Sequence, residues 1–285
     1  MKILVTGALG QLGHDLVKEL NRRGHTVIGI GSKEADITDA DAVINKLNEW
    51  KPEAVMHCAA YTLVDNAEDD RERCDAVNRI GTENIARACA QIDAKLLYLS
   101  TDYVFSGDGD IPWKPDDTPH PLNIYGMTKY LGEEAVRRYT NKHFIVRTSW
   151  LFGINGRNFV NTMLRLSAER DILTVVSDQV GSPTYTVDLS RLLSDMIESE
   201  KYGTYHATNE GFCSWYEFAC AIMEKTGRFA KVVPVLSTDY PAKARRPSNS
   251  RMNKDKLSER GFSRLPHWED ALERYLCEME NRNNE

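Results

Sequence analysis

A glycine-rich turn near the start of the chain, from Gly7 to Gly13, joins a short apolar run to a helical pattern. Residues 2–5 are typical of a buried strand, and apolar residues recur with helical spacing after the turn. Gly7 allows a tight turn, Gly10 allows a pyrophosphate to approach the backbone, and Gly13 allows the helix to pack closely on the strand. The helix N-terminus supplies free N–H donors for phosphate groups. The turn therefore predicts a dinucleotide-binding unit.

The strand–helix alternation continues through the first half of the chain. A long helical pattern runs from Arg71 to Ala90, and Thr38 is a candidate cap for the helix that follows the second strand. Because strands that alternate with helices form parallel sheets, the order predicts an α/β fold. We expect a Rossmann-like, doubly wound parallel sheet covered on both faces. The predicted strands are 2–5, 26–30, 54–58, 95–100 and 144–147.

The regularity of the pattern falls after Trp150, which predicts a domain boundary there. We expect an NAD(P)-binding Rossmann domain at 1–150 and a smaller C-terminal α/β domain for the substrate at 151–285, with a segment near 185–200 that returns to the first domain. Ser214 and Glu217 have the spacing of a helix capping box. The other elements predicted in this half are helices at 158–170, 188–198, 214–226 and 268–280 and a strand at 172–176.

Charge and cysteine patterns argue against several classes of protein. The formal net charge is −6 and the sequence has no long run of one sign, so nothing points to nucleic acid or to an anionic membrane surface. The six cysteines are scattered without a CxxC pair, so the sequence predicts neither a metal site nor a disulfide framework. No apolar stretch approaches the length of a membrane span. We expect a reduced, soluble, cytoplasmic protein.

The end of the second predicted strand bears on cofactor choice. A site that prefers NAD usually has an acidic residue at this point, which binds the ribose 2′-hydroxyl. Here Ser32 and Lys33 follow the strand, and the first acid is Glu34. Because Ser32 and Lys33 suit a 2′-phosphate, the sequence favours NADPH, with NADH possible.

Tyr125 and Lys129 lie four residues apart in a predicted helix and so share one face. A phenol has an ordinary pKa near ~10, and a neighbouring cation lowers that pKa toward the range useful for acid–base catalysis. Thr101, at the end of the fourth strand, is a candidate hydrogen-bond donor to the same substrate oxygen. The alternative roles are a surface Tyr–Lys pair and a threonine that caps a turn.

Further motifs together resemble the dTDP-4-dehydrorhamnose reductase family of extended short-chain dehydrogenase/reductases. Related 4,6-dehydratases carry a glutamate where this chain has Tyr103, because elimination of water needs an additional carboxylate. Its absence favours simple ketone reduction. The segments that carry the resemblance are 7–13, 59–65, 100–105, 125–129, 147–150, 178–184 and 246–250.

The resemblance implies roles for individual residues. Thr101, Tyr125 and Lys129 are the implied catalytic residues. The substrate diphosphate requires cations, for which Arg246 is the candidate, and Arg245 or Arg157 can act together with it. The residues expected to bind the sugar nucleotide are Thr101, Asp102, Trp150, Asn158 and Arg246. The residues expected to bind the cofactor are Gly7, Gly10, Gln11, Leu12, Gly13, Ser32, Lys33, Asp36, Ile37, Ala60, Tyr61, Thr62, Leu99, Tyr125 and Lys129.

The implied activity is NADPH-dependent reduction of the C4 ketone of dTDP-4-dehydro-L-rhamnose to dTDP-L-rhamnose, the last step in making this sugar donor for surface polysaccharide. One alternative is a 4-ketoreductase for another nucleotide deoxysugar. Another is a non-catalytic regulatory subunit of the same fold. We expect a monomer or homodimer; a Mg²⁺-linked dimer through surface acids such as Asp15, Glu269 or Glu273 is open, although the sequence does not indicate Mg²⁺.

Overall fold

The computed structural model describes residues 1–283. Its strands are β1 (Lys2–Thr6), β2 (Thr26–Ile30), β3 (Ala54–His57), β4 (Lys95–Thr101), β5 (His143–Thr148), β6 (Leu151–Phe152), β7 (Ile172–Val176), β8 (Val180–Gly181), β9 (Thr184–Tyr185), β10 (Gly203–His206), β11 (Cys213–Ser214) and β12 (Lys231–Val235). Its α-helices are α1 (Gln11–Arg22), α2 (Ala40–Trp50), α3 (Val64–Ala67), α4 (Arg71–Asp75), α5 (Gly81–Gln91), α6 (Ile124–Tyr139), α7 (Phe159–Glu169), α8 (Thr186–Ile197), α9 (Trp215–Thr226), α10 (Asp255–Glu259) and α11 (Trp268–Asn283).

The central sheet has six parallel strands in the order β10-β5-β4-β3-β1-β2. Because the chain winds outward in both directions from β1, the strand order reverses beside it, and ligands of such sheets bind at that point beyond the carboxyl ends of the strands. Each face of the sheet has its own apolar core. Ile3 and Val5 pack into one core, and Leu4 packs into the other. The predicted doubly wound α/β fold is confirmed.

The chain returns to this sheet after it has entered the C-terminal part. Leu189 and Leu193 of α8 share a core with Leu16 and Leu20 of α1. The strand β10 then pairs in parallel with β5 and completes the sheet. The sequence pattern missed β10 because it is short and begins with a glycine.

A separate third core holds the C-terminal part together. It includes Phe152, Phe218 and Tyr275, and a two-stranded parallel sheet of β7 and β12 flanks it. The capping box predicted at the start of α9 is present, since Ser214 Oγ accepts from the Glu217 N–H at 3.1 Å and Glu217 accepts from the Ser214 N–H at 2.6 Å. Within residues 1–283, no helix is both long and apolar enough to cross a bilayer.

One local prediction is wrong, and another is correct in extent but incomplete in detail. Asp39, not Thr38, caps α2, because its carboxylate accepts from the Ala42 N–H at 3.0 Å. The long helix predicted from Arg71 is α4 and α5 joined by a π-helical segment, Ala76–Ile80. Within that segment the buried Asn78 side chain accepts from the Tyr61 N–H at 2.8 Å and donates to the Tyr61 carbonyl at 3.1 Å.

Candidate active site

A cleft of about 800 Å³ opens at the carboxyl ends of β1, β3, β4 and β5. The glycine turn borders one side of it, and Tyr125 and Lys129 border another. The strand ends therefore bring together segments that are far apart in the sequence. This convergence places the nucleotide-binding motif and the Tyr–Lys pair in one site.

The geometry of the glycine turn excludes side chains at two of its three glycines. Gly7 has a φ of +67°, and a Cβ there would lie 2.7 Å from the Ala59 nitrogen. A Cβ at Gly13 would lie 2.1 Å from the Gly7 carbonyl oxygen. At Gly10 the nearest atom would be 3.2 Å away. The turn thus holds α1 against β1, with the N-terminus of α1 at the cleft.

Helix α6 sets the position of Tyr125 and Lys129. Asn123 caps the helix by accepting from the Gly126 N–H at 2.8 Å. A Cβ at Gly126 would lie 2.2 Å from the Tyr103 carbonyl oxygen, so the helix packs directly on the segment that follows β4. Lys129 Nζ donates to the Leu99 carbonyl at 2.7 Å. The ammonium is therefore anchored to β4.

Lys129 is buried and Tyr125 is partly buried in the wall of the cleft, and burial changes the pKa values of both. Burial raises the pKa of the Tyr125 phenol, and contact with the Thr101 hydroxyl opposes that rise. Burial also lowers the pKa of Lys129 to about 7. The expected lowering of the Tyr125 pKa by Lys129 is thus not found, because burial is the largest influence on the phenol and Lys129 is not among the groups that shift its pKa. Tyr125 stays protonated at neutral pH, which is the form that can donate a proton.

Thr101 lies at the end of β4 and lines the cleft together with Tyr125. Its hydroxyl donates to Asp102 Oδ1 at 3.0 Å and accepts from the Tyr103 N–H at 3.2 Å. Burial raises the pKa of Asp102 to about 6. The Tyr103 ring packs edge-on against the Tyr125 ring, with centroids 5.6 Å apart. A phenol therefore occupies the position where a dehydratase requires a carboxylate.

Most of the residues expected to bind the cofactor line the cleft. Lys33 and Tyr61 are exceptions. Lys33 is exposed, and Tyr61 is held through its backbone by Asn78. The roles of all these residues remain predictions. Those in the cleft lining are Gly7, Gly10, Gln11, Leu12, Gly13, Ser32, Asp36, Ile37, Ala60, Thr62, Leu99, Tyr125 and Lys129.

The residues expected to bind the substrate divide between two cavities. Thr101, Asp102 and Trp150 line the cleft. Trp150 has a φ of +49° and stacks on Trp215 with ring centroids 3.6 Å apart. Arg246 lines a second cavity of about 230 Å³, which shares Tyr103 with the cleft.

Asn158 lines neither cavity, because its side chain has a structural task. It caps α7 by accepting from the Asn161 N–H at 2.9 Å, and it donates to the Gly153 carbonyl at 2.8 Å. A side chain used in this way has little capacity left for a ligand. Its predicted contact with the substrate finds no support in the geometry.

Comparison with known proteins gives one family for the whole chain. The model of the RmlD substrate binding domain matches residues 1–281. The chain belongs to the RmlD substrate binding domain family. It is 42% identical to the spore coat polysaccharide biosynthesis protein SpsK of Bacillus subtilis, with 97% of each chain covered. It is also 42% identical to the dTDP-4-dehydrorhamnose reductase of Mycolicibacterium smegmatis, covering 95% of this chain and 84% of that protein.

A solved structure agrees with this membership of the RmlD family. The dTDP-4-dehydrorhamnose reductase of Bacillus anthracis, crystallised in complex with NADP, superposes with a TM-score of 0.95 at 44% identity. The superposition covers 97% of this chain and 99% of that one.

Two arginines that line the cleft of this RmlD-family chain were not given their due weight from the sequence. Arg73 of α4 was not identified at all, because no motif in the sequence singles it out. Arg157 was ranked below Arg246, as its possible partner only, yet it lines the cleft and Arg246 does not. Thr148 and Ser149 also line the cleft, at the end of β5.

Two of the acids considered for a metal-linked dimer, Asp15 and Glu273, already bond to other side chains of this protein. Asp15 accepts from the Thr186 hydroxyl at 2.5 Å, and Glu273 pairs with Lys225. Within residues 1–283, no cluster of three or more His, Cys, Asp or Glu residues could hold a metal ion.

Proposed function

We propose that this chain catalyses the NADPH-dependent reduction of the C4 ketone of dTDP-4-dehydro-L-rhamnose to dTDP-L-rhamnose. The observation that carries the proposal is the convergence of Thr101, Tyr125 and Lys129 in the cleft that the glycine turn borders. Reductases of this name from several bacteria are 36–42% identical over nearly the full chain. We further propose that the product is a sugar donor for surface polysaccharide.

The cleft fits a dinucleotide on its own geometry. Gly13 lies so close to the Gly7 carbonyl that a Cβ would not fit. The backbone there carries no side chain, and the N-terminus of α1 is open to phosphate. A reduced nicotinamide supplies the hydride when the cofactor is bound. Lys129, anchored at Leu99, is placed to hold the ribose of that cofactor.

The protein's own part in the reaction is proton delivery and charge stabilisation. As the C4 oxygen gains negative charge, Tyr125 donates its phenolic proton to it. Thr101 lines the cleft with Tyr125, and its hydroxyl would exchange its bond to Asp102 for one to the same oxygen, which would stabilise the developing alkoxide. Tyr103 brings no carboxylate for the elimination of water, so the geometry favours reduction over dehydration.

We propose that the second cavity receives the nucleoside diphosphate end of the substrate. Its wall includes the aromatic residues Trp215 and Tyr240, on which a base can stack, and the cation Arg246. In the structure Arg246 forms a bidentate pair with Asp65, at 3.0 and 2.6 Å. The Trp150–Trp215 stack joins this cavity to the cleft, which suits a substrate that extends from one to the other.

Arg246→Met is expected to raise the KM for the dTDP-sugar roughly 10- to 100-fold, because a charge-assisted hydrogen bond to a phosphate is lost. The dissociation constant for NADPH should stay unchanged. Steady-state kinetics and fluorescence titration of NADPH measure the two effects. Arg245→Met is the matched control, since Arg245 is the exposed neighbour. Equal effects of the two substitutions would contradict a specific role for Arg246.

Arg73→Ala is expected to weaken NADPH binding roughly 3- to 10-fold and to leave NADH binding nearly unchanged. Arg73 lines the cleft with Ser32 and Asp36, where a 2′-phosphate would meet it. The dissociation constants of both cofactors, measured by titration, give the comparison. Arg71→Ala is the control, because Arg71 is exposed on the same helix but outside the cleft lining. Equal losses for NADPH and NADH would refute the assignment.

The proposed function is tested by mixing the purified protein, NADPH and dTDP-4-dehydro-L-rhamnose and following the nicotinamide absorbance. Rapid oxidation of NADPH with formation of dTDP-L-rhamnose is the expected result. Faster turnover of another 4-keto nucleotide sugar would support the alternative ketoreductase. If no 4-keto nucleotide sugar is turned over, the result would support a regulatory subunit. The cytoplasmic location, the monomer or homodimer state and the absence of nucleic-acid or membrane partners remain predictions.

A further inference from the structure

A buried ion pair lies beneath the cleft. Glu133 of α6 has no exposed surface, and the side chain of Arg147 in β5 is 1% exposed. Arg147 Nε donates to Glu133 Oε1 at 2.8 Å, and Arg147 Nη2 donates to Oε2 at 2.7 Å. Ser100 Oγ also donates to Oε1, at 2.6 Å, and Arg137 Nη2 to Oε2, at 2.8 Å. Since burying such a pair usually brings little net stability, its position suggests another role.

The pair connects the elements that carry the catalytic residues. Ser100 immediately precedes Thr101 in β4, and its register partner in β5 is Arg147. On α6, Glu133 follows Lys129 by one helical turn, a spacing that brings side chains to within about 5–6 Å at Cβ. The bonds to Glu133 therefore fix the strand of Thr101 relative to the helix of Lys129. They also place a negative charge next to the Lys129 ammonium.

Other groups face Lys129 from neighbouring elements, but none of them supplies a negative charge at neutral pH. The Tyr98 ring of β4 lies 4.1 Å from Nζ. Burial lowers the pKa of His57 in β3 to about 3, so the imidazole is neutral. Burial raises the pKa of the Cys58 thiol to about 12 and also raises that of Cys74. Among the described residues that act on Lys129, Glu133 is the carboxylate.

We propose that Glu133 is a positioning residue for the ketone reduction, which keeps Lys129 protonated and holds α6 in place against Thr101. Burial lowers the pKa of Lys129 to about 7, and the Glu133 charge acts against that shift. Because the value of about 7 already includes this opposing effect, removal of the charge would lower the pKa of Lys129 further and leave the side chain mostly neutral at pH 7. Arg147 and Ser100 hold the carboxylate in position for this role. The inference rests on the proposed function for its catalytic meaning.

Glu133→Gln tests the proposal, because it removes the charge and retains the shape. The expected result is a fall in the pKa of Lys129 by about one unit or more. An NMR titration of protein labelled with ¹³C at the lysine ε-carbon measures this pKa directly, and Lys129→Met assigns the resonance. The alkaline limb of the pH profile of kcat/KM should move to lower pH by the same amount. Glu134→Gln is the control, since Glu134 is the exposed neighbour and pairs with Arg137 at 2.6 Å.

A second variant covers the case in which Glu133→Gln fails to fold, because that change leaves Arg147 buried without its partner. Combining Glu133→Gln with Arg147→Met removes both charges and should fold. The reference is Arg147→Met alone, in which Glu133 keeps its bond to Arg137. Because the two variants differ only in the Glu133 charge, the pKa of Lys129 should be lower in the double variant than in Arg147→Met. A Lys129 pKa unchanged from its reference in whichever variant folds would overturn the proposal. The NMR titration does not depend on turnover, so an inactive wild-type protein would count against the proposed function and not against the role of Glu133.

Discussion

Replacing Tyr125 with phenylalanine should lower kcat by roughly 10²- to 10⁴-fold, the range expected for loss of a general acid. The phenol lies in the cleft beside Thr101, and burial keeps it protonated at neutral pH. Without it, the C4 oxygen must take its proton from water. Rapid-mixing measurement of NADPH oxidation in a single turnover would isolate the chemical step.

The dissociation constant for NADPH should be nearly the same in Tyr125→Phe as in the wild type, because the glycine turn is untouched. Tyr130→Phe is the matched control, since it removes one hydroxyl from the same helix at a residue outside the cleft lining. Near-normal turnover in Tyr125→Phe would remove Tyr125 from the mechanism. An equal loss in both variants would point to the helix and not to the phenol.

Gly13→Ala should destabilise the fold by at least about 3 kcal/mol and abolish NADPH binding. The added methyl would lie 2.1 Å from the Gly7 carbonyl oxygen, and neither backbone segment can move without separating α1 from β1. Urea unfolding monitored by circular dichroism measures the stability. Fluorescence titration measures NADPH binding in whatever fraction folds.

Gly10→Ala in the same turn separates stability from binding. Its methyl would meet the Gly7 carbonyl oxygen at 3.2 Å, which requires only a small adjustment. The fold should lose about 1 kcal/mol or less, whereas NADPH binding should weaken because the methyl lies where the pyrophosphate approaches. If Gly13→Ala is no less stable than Gly10→Ala, the close packing of α1 on β1 does not control stability here.

Sequence reasoning predicts the features of this molecule that depend on local pattern. The glycine turn, the parallel sheet and the shared face of Tyr125 and Lys129 follow from spacing alone, and the family resemblance assigned them one function. The short strand β10 lacks such a pattern, because its partner β5 is distant in the sequence. The capping role of Asn158, by contrast, was available from the sequence, because an asparagine at the start of the helix predicted at 158–170 is typical of an N-cap.

The failed pKa prediction has a physical cause that sequence cannot supply. Spacing shows that Lys129 is near Tyr125, but not that both are desolvated or that the Lys129 ammonium donates to the Leu99 carbonyl. Arg73 was missed for a related reason. Its place at the cleft is a matter of tertiary packing, and the helical stretch that contains it is held by buried contacts of Asn78 with residues distant in the sequence.

The return of the chain to the central sheet has a mechanical consequence. Helix α8 packs on the central sheet and β10 is one of its strands, whereas the segments before α8 and after β10 belong to the C-terminal part. The backbone therefore crosses between the central sheet and the C-terminal part at least three times. A joint with several connections resists rotation about any one of them. Opening the cleft by a simple hinge would strain the other crossings, so loops at the rim are the elements free to admit a bulky substrate. A fragment ending at residue 150 would also leave the edge of β5 unpaired and one side of α1 bare, and it should aggregate.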